Sequence, residues 1–478
     1  MVDAIQGTRQ LHKNAIGLSH IVFFVVAAAA PLTAVVGATP AAFGMGNGPG
    51  VPGTFVLAGG LYLLFSVGFT AMSRFVGSAG AFYTYISQGL GKPIGVAGAL
   101  IALLAYNAVQ IAIYALFGVF VDGALSPFSI HLPWWAYSLL AVLAVTLCGQ
   151  RNVAFSGNLL GVCMLAEIAI LLLLDIAVLL NHGGPEGLSA STFAPQNVFA
   201  PGLGASLVFV VGSYIGFEAT AIFSEEARDP AWTIPRATYI AVLLITGFYA
   251  LSTWAIAQAY GPSVIAEAAK ANPQTLYFVK SSELLGGWST EVMNVLLITS
   301  LFACVLSFHN TINRYFFALG REGLVWQRLG TVHPRHGSPV FAGLVQSLIV
   351  VMVVALFAAT EQDPYAVVFS WMSALAVLGI LAVQVLVCLA VIAFFREDAR
   401  GLSPWKRLIA PTLSAAGLTG TIGVVIANLP LLSGSDSLVV ASFPYIIVLV
   451  GVVGVVFALW LKSSRPSRYG ALGRVFEA

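Results

Sequence analysis

Apolar runs of about 20 residues recur along the whole chain, each long enough to cross about 30 Å of hydrocarbon as a helix. In lipid every backbone polar group needs an internal partner, so such runs fold as helices. Of the 478 residues only 8% are charged, against roughly a quarter in soluble domains. The pattern predicts an all-α polytopic membrane protein with twelve transmembrane helices. Their ranges are 17–46, 54–73, 93–121, 134–149, 155–180, 203–225, 237–260, 289–318, 339–359, 366–395, 408–428 and 444–462.

Twelve crossings put both termini on one side. Of the 21 Lys and Arg, all but Lys270 and Lys280 fall on that side, and the positive-inside rule makes it the cytoplasm of a cell membrane. The net charge of +2 points to no nucleic-acid partner. Cys148, Cys163, Cys304 and Cys388 lie in or at the ends of apolar runs without CxxC spacing, which argues against disulfides and thiolate metal sites. His12 and Lys13 ahead of an apolar run ending in Ala27-Ala28-Ala29 imitate a signal peptide. The polar amino end and the eleven later spans suit an uncleaved first helix better.

Two spans are interrupted. Residues 209–236 read FVVGSYIGFEATAIFSEEARDPAWTIPR, where Gly212, Ser213 and Gly216 break a helical run and Glu218 stands within it. The first span carries Pro31 among alanines, and proline removes a backbone donor and clashes with the preceding turn. A kink alone would explain one of these. Two broken spans five helices apart favour an inverted repeat with a site where the breaks face each other near the midplane. The expected organisation is a cytoplasmic segment 1–16, a first repeat 17–180 (helices 1–5), a second repeat 203–395 (helices 6–10), peripheral helices 11 and 12 at 408–462, and a cytoplasmic tail 463–478.

Ionisable groups inside apolar runs are costly and mark function. Glu167 sits near the middle of helix 5, and Asp175 lies about 12 Å further out. Each must be neutral, paired or facing water. On helix 3 the spacing puts Asn107, Gln110 and Tyr114 on one face, beside Tyr106. That face either lines a cavity or hydrogen-bonds neighbouring helices. Helix 8 places Ser300, Cys304 and Ser307 on a stripe, with His309, Asn310 and Asn313 nearer the cytoplasm; His309 reads as a structural hydrogen-bonding residue. Helix 10 offers Trp371 and Ser373. The aromatic, glycine-rich stretch after helix 2 reads as an interfacial helix. P-loop, HExxH, nucleophile-elbow and metal-spaced His/Cys patterns are missing from the sequence, so neither an enzyme nor a cofactor is expected.

Three motifs carry a family resemblance. The first is Gly77-Ser-Ala-Gly-Ala-Phe-Tyr83-Thr-Tyr85 with Gly91. The second is Gly216-Phe217-Glu218, then Glu225-Glu226-Ala-Arg-Asp229-Pro230 and Ile234-Pro235-Arg236. The third is Asn313-Arg314, Ala318-Leu-Gly-Arg321-Glu-Gly323-Leu and Ser338-Pro339. Over essentially its whole length the chain resembles permeases of the amino acid–polyamine–organocation (APC) family. The resemblance implies the LeuT-like fold, with its five-plus-five inverted repeat and discontinuous helices 1 and 6. It also implies alternating access and small amino acids or amines as substrates. In related permeases the helix 6 carboxylate is linked to proton or substrate coupling, and Glu218 takes that position. Two positions depart from the family pattern. Related permeases place Gly-x-Gly in the helix 1 break, whose amides hold a substrate carboxylate, where this chain has Pro31-Leu32-Thr33. The missing proline N–H weakens that cradle or moves it toward Ala29, Ala30 and Thr33. Several relatives carry a lysine in helix 5 where Glu167 aligns, so a lysine-based proton mechanism does not transfer.

The expected function is proton-coupled import of an amino acid or amine. Ala29, Ala30, Thr33, Gly212, Ser213, Tyr214, Gly216 and Phe217 would form the backbone and wall of the site. Asn107, Gln110 and Trp371 would read the side chain, and Glu218 and Glu167 would couple charge, with Ser307 bonded to Glu167. The expected partners are substrate, a proton and membrane lipid, in a monomer or homodimer. An amino acid/amine exchanger uses the same scaffold. A sodium-coupled symporter or a non-transporting nutrient receptor stands behind it, and the two breaks favour an occluded site over a channel.

Overall fold

The computed structural model describes residues 17–76, 81–150, 157–218, 220, 227–333, 338–433 and 437–472. Outside these lie residues 1–16 with Arg9 and Lys13, the Gly77–Gly80 start of the first motif, Arg151, the Glu225-Glu226 pair, Arg335 and residues 473–478 with Arg474. The expected amino-terminal segment, the carboxyl end of the tail and those motif positions therefore fall outside the described residues.

Among the described residues nine helices are long and apolar enough to cross a membrane, and three shorter apolar helices, Thr33–Met45, Trp134–Gln150 and Leu203–Gly212, stand beside them. In chain order the main helices are α1 (Leu18–Ala28), α2 (Thr33–Met45), α3 (Val51–Met72), α4 (Ala81–Leu90) and α5 (Lys92–Leu125). They continue with α6 (Trp134–Gln150), α7 (Gly157–Leu180), α8 (Leu203–Gly212) and α9 (Pro230–Tyr260). Two shorter helices, α10 (Ile265–Ala271) and α11 (Leu276–Leu285), precede α12 (Gly287–Arg321) and α13 (Val340–Ala359). The last are α14 (Ser370–Glu397), α15 (Ala410–Ala427), α16 (Phe443–Ser464) and α17 (Pro466–Ala471).

The chain is therefore a multi-pass, all-helical membrane protein. Several helices depart from the expected ranges for local reasons. α9 starts at Pro230 and not at 237, because proline at the first helical position gives up an N–H that has no helical partner anyway. The first half of α2, Thr33–Ala38, is wound as a π-helix, as are Pro364–Phe369 ahead of α14 and Trp405–Ile409 ahead of α15. The stretch after α3 forms α4, whose Phe82, Tyr83, Tyr85 and Ile86 are buried against α5 and α14.

Burial sorts the helices into layers. The most apolar window of α5 is 83% buried and that of α16 only 22%, so α5 is a central post and α16 faces lipid. α5 packs against α14, α16, α12, α4 and α6, while α3 packs against α9. α2 and α8 touch each other through Asn47 and Ser206. The Ser206 hydroxyl donates to Asn47 Oδ1 at 2.6 Å and receives the Asn47 backbone N–H at 3.0 Å. The two short helices, each flanking a break, are thus clasped at one end.

Candidate functional site

The first break falls at Ala29 and Ala30. Ala30 has φ +46, a left-handed conformation that costs a non-glycine residue about 1–2 kcal/mol. α1 stops before it, and Pro31 restarts the chain without offering an N–H. The next donor, the Leu32 N–H, goes to Glu167 Oε2 at 3.2 Å. The same oxygen accepts the Ser300 hydroxyl at 2.8 Å, and Thr33 donates to Ser300 at 3.1 Å. A carboxylate from α7 thus sits at the amino-terminal end of a half-helix, where the exposed amides favour negative charge. Tyr249 from α9 donates to the Ala29 carbonyl at 3.1 Å, which satisfies the open end of α1 as well.

The second break runs from Ser213 to Glu218 after α8. Its turns are held by single bonds, Tyr214 N–H to Val211 at 3.0 Å, Ile215 N–H to Gly212 at 3.2 Å and Phe217 N–H to Tyr214 at 3.1 Å. Gly216 takes φ +112, which a side chain would resist. Glu218 folds back to accept the Gly216 N–H at 2.9 Å, and Tyr106 of α5 donates to its other oxygen at 2.7 Å. Glu167 and Glu218 are both buried. The ion pairs among the described residues (His131–Asp122, Lys270–Glu267, Lys280–Glu283, Arg400–Asp398) involve neither of them. Buried carboxylates in such places are held by hydrogen bonds or exist in neutral form.

Between the breaks lies a cavity of about 60 Å³, walled by α2, α5, α8, α12 and α14. From the predicted set it is lined by Ala29, Thr33, Gly212 and Ser213. The carboxyl-terminal end of α8, the negative end of its dipole, meets it at Gly212. Among the described residues no charged side chain lines it: the wall is alanine, valine, isoleucine, leucine and phenylalanine, with Thr33, Ser213, Cys304 and Ser373 as its few polar groups. Ser213 spends its hydroxyl on the Phe209 carbonyl at 2.9 Å.

The structure places the other predicted residues elsewhere. Gln110 donates to the Val305 carbonyl at 2.9 Å and accepts from Gln346, so it ties α5 to α12 and α13. Asn107 donates to the Leu103 carbonyl of its own helix at 2.8 Å. Tyr214 turns to α3 and α9, donating to the Phe55 carbonyl at 3.1 Å and stacking on Tyr62 at 4.7 Å. Phe217 joins the α3 aromatics, 5.0 Å from Tyr62. Ala30 is buried behind the wall, and Trp371 is partly buried outside it. Ser300, and not Ser307, meets Glu167; Ser307, two turns further along the same stripe of α12, is exposed. Asp175 is buried away from the cavity and accepts the Ser252 hydroxyl at 2.7 Å.

The residues that sequence reasoning passed over are apolar. Val109, Ala112, Ile113 and Leu116 line the cavity from α5, together with Phe209, Phe308 and Phe369. Their spacing of i, i+3, i+4 and i+7 marks one helical stripe, on the side of α5 opposite Asn107 and Gln110. Gln110 on the polar side ties neighbouring helices together, and the apolar stripe faces the cavity.

The amino acid permease family model matches residues 20–468. The low-affinity putrescine importer PlaP of Escherichia coli (strain K12) is 24% identical over 315 residues, 62% of this chain and 65% of its own length. The branched-chain amino acid permease BcaP of Bacillus subtilis (strain 168) is 25% identical over 319 residues, again 62% and 65%. BcaP of Lactococcus lactis subsp. cremoris (strain MG1363) is 25% identical over 407 residues, 79% of this chain and 82% of its own. The chain thus spans about two thirds of the length of the first two relatives. The match to the family model takes in both breaks and every helix that walls the cavity, and the chain belongs to the amino acid permease family.

Proposed function

We propose that the chain is a secondary active transporter that imports an amino acid or related amine across the cytoplasmic membrane by alternating access, coupled to protons. In this reading α1–α2, α3, α5, α6 and α7 are the first repeat (17–180). The broken α8 span, α9, α12, α13 and α14 are the second (203–395), and α15 and α16 are peripheral (408–462). Both ends of the chain, 1–16 and 463–478, are cytoplasmic. The observation that carries the reading is the cavity held between two interrupted spans, each interruption closed by its own buried carboxylate. A cavity of about 60 Å³ holds a few waters, so a larger guest enters only as the walls part.

The wall also bears on the substrate. Its apolar stripe suits an apolar body, and the relative BcaP, a branched-chain amino acid permease, agrees with that. At the first break Pro31 has no N–H and the Leu32 amide already serves Glu167, so a substrate carboxylate finds no free cradle in that pair. The carboxyl-terminal end of α8 favours an amine instead. A substrate with an apolar body and an ammonium group fits both features, and the putrescine importer PlaP is a relative whose named substrate is an amine without a carboxylate. Glu218 and Glu167 are the proposed proton carriers, because a buried carboxyl without a cationic neighbour can take or release charge only with a proton or a bound cation.

The test is uptake by purified protein in liposomes with an imposed pH gradient, comparing leucine with isoamylamine and putrescine. Saturable uptake that accumulates substrate with the gradient and stops when it is collapsed is the expected result. Accumulation that needs sodium and ignores the proton gradient would overturn the coupling. Counterflow without any gradient-driven accumulation would make the protein an exchanger.

A further inference from the structure

A second hollow lies on the outside of the bundle, far larger than the central cavity. It is a groove of about 550 Å³ between α5, α14, α15 and α16, lined by residues such as Ile94, Ile101, Leu386, Ile422, Val448 and Val456. Thr419 is its one side chain with a polar atom. α16 lies antiparallel on α5, since Gly451 faces Ile101 and Gly454 presses on Ala97. The groove therefore follows α16 from Ile447 to Val456, about 14 Å at 1.5 Å per residue. That is about half of a 30 Å hydrocarbon layer, or the depth of one leaflet.

One end of the groove is basic. Ile94 lies two residues from Lys92, and α16 runs on from Val456 to Lys462 and Arg465. Lys92 and Lys462 gather round Tyr469, 5.4 and 6.0 Å from its ring centre, and Arg465 lies 5.9 Å from the ring of Trp460. Lys92 is anchored to the Tyr469 and Gly470 carbonyls at 3.0 and 2.9 Å. Lys462 and Arg465 are exposed. Residues 81–121 and 437–472 contain no Asp or Glu, and the nearby Glu322 is buried, accepting the Tyr83 hydroxyl at 2.7 Å. Trp460 and Tyr469 are the aromatic types that sit at headgroup level.

We propose that this groove holds an acyl chain of an anionic phospholipid from the leaflet on the side of Lys92, with its headgroup phosphate at Lys92, Lys462 and Arg465. Basic clusters at the mouths of grooves between membrane helices suit such headgroups. The apolar length matches one leaflet, whereas a packed helix from another subunit would follow the groove across both. A second copy seated by a two-fold axis would also bring the same basic ends together. The inference requires that the chain crosses a membrane and is independent of what it transports.

The experiment is native mass spectrometry of the purified protein with phosphatidylglycerol or phosphatidylcholine of identical acyl chains. Wild type retains one phosphatidylglycerol at least about fivefold more strongly than phosphatidylcholine, the factor expected from one basic side chain near an anionic headgroup. Lys462→Gln with Arg465→Gln leaves Lys92 alone at the headgroup and lowers that preference at least about fivefold. Val448→Trp fills the groove and lowers retention of both; Val448 is 64% exposed, so the ring faces lipid and the thermal midpoint stays near wild type. Equal retention of both lipids by wild type, or unchanged retention by Val448→Trp, would overturn the proposal. A dimer that Val448→Trp dissociates would overturn it too, and assign the groove to a second copy.

Discussion

The two breaks use the same device with different reach. At the first, the carboxylate comes from another helix, 135 residues away in sequence. It binds the Leu32 amide just ahead of α2 and Ser300 of α12 at one oxygen, so three helices meet at a single point. At the second, Glu218 caps an amide only two residues back, and among the described residues Tyr106 is its hydrogen-bond partner from another helix. The first break is a sharp step at one strained alanine, the second a loose run of turns around a glycine. A break closed by a distant helix is a structural joint, because opening it separates helices. A break closed by its own side chain can rearrange without unpacking its neighbours. The second break is thus the better place for a movable charge and the first the better place for a fixed hinge.

The largest expected effect comes from removing the distant carboxylate. Glu167→Ala leaves the Leu32 amide and the Ser300 hydroxyl without their acceptor in the interior. At about 1–3 kcal/mol for each orphaned group, the loss is about 2–6 kcal/mol. Thermal unfolding in detergent should show a clear fall for Glu167→Ala and a smaller one for Glu218→Ala, whose amide partner lies in an already loose segment. Equal falls would erase the distinction between joint and switch.

Next is transport itself. Glu218→Gln keeps an oxygen for the Gly216 amide and a polar group facing Tyr106, so the fold should hold to within about 1 kcal/mol. Under the proposed function the variant loses uphill, gradient-driven uptake while keeping downhill exchange. Wild-type uptake should vary with pH, and the variant's should vary less, because only Glu167 is left to carry a proton. A glutamine variant that still concentrates substrate to the wild-type level would remove Glu218 from coupling.

Most of the helices were legible in the sequence because hydrocarbon thickness sets the length of an apolar run, and the interruptions at Pro31 and Gly216 were legible because those residues have few backbone options. Side-chain direction was not. Polar Gln110 looked like a cavity residue, yet in lipid its strongest demand is a hydrogen bond to a neighbouring helix, and Val305 and Gln346 supply it. Tyr214 and Phe217 lie in an unwound stretch with no helical period, so nothing in the sequence told that their rings turn toward α3. The stripe of Ser300, Cys304 and Ser307 announced a shared face but not which turn of α12 stands level with Glu167.

Backbone substitutions should act with opposite sign at the two breaks. Ala30→Gly removes a left-handed penalty of about 1–2 kcal/mol and adds about 0.5–1 kcal/mol of chain entropy, a net stabilisation of about 0.5–1 kcal/mol. Gly216→Ala forces a side chain onto φ +112 and should destabilise by about 1 kcal/mol or more. Thermal midpoints of the two variants in one detergent give the comparison directly, and a shift of the same sign in both would mean that the backbone at one break relaxes freely.

The smallest effect is also the cleanest check on the first break. Ser300 and Ser307 share a stripe on α12, but Ser300 bonds Glu167 and accepts from Thr33, whereas Ser307 is exposed. Ser300→Ala removes two hydrogen bonds at the joint and leaves Thr33 without its acceptor, at a cost of about 1–2 kcal/mol. Ser307→Ala removes an exposed hydroxyl, a kind of change that stays within about 0.5 kcal/mol. The two variants differ in one atom at the same residue type on the same helix, so helix propensity and side-chain entropy cancel between them. If α12 instead presented Ser307 to Glu167, the order would reverse. The pair therefore reads which turn of the helix carries the joint, and combining Ser300→Ala with Glu167→Gln closes the cycle. Non-additive losses of at least about 0.5 kcal/mol are expected for residues in direct contact, and full additivity would place Ser300 and Glu167 in separate networks.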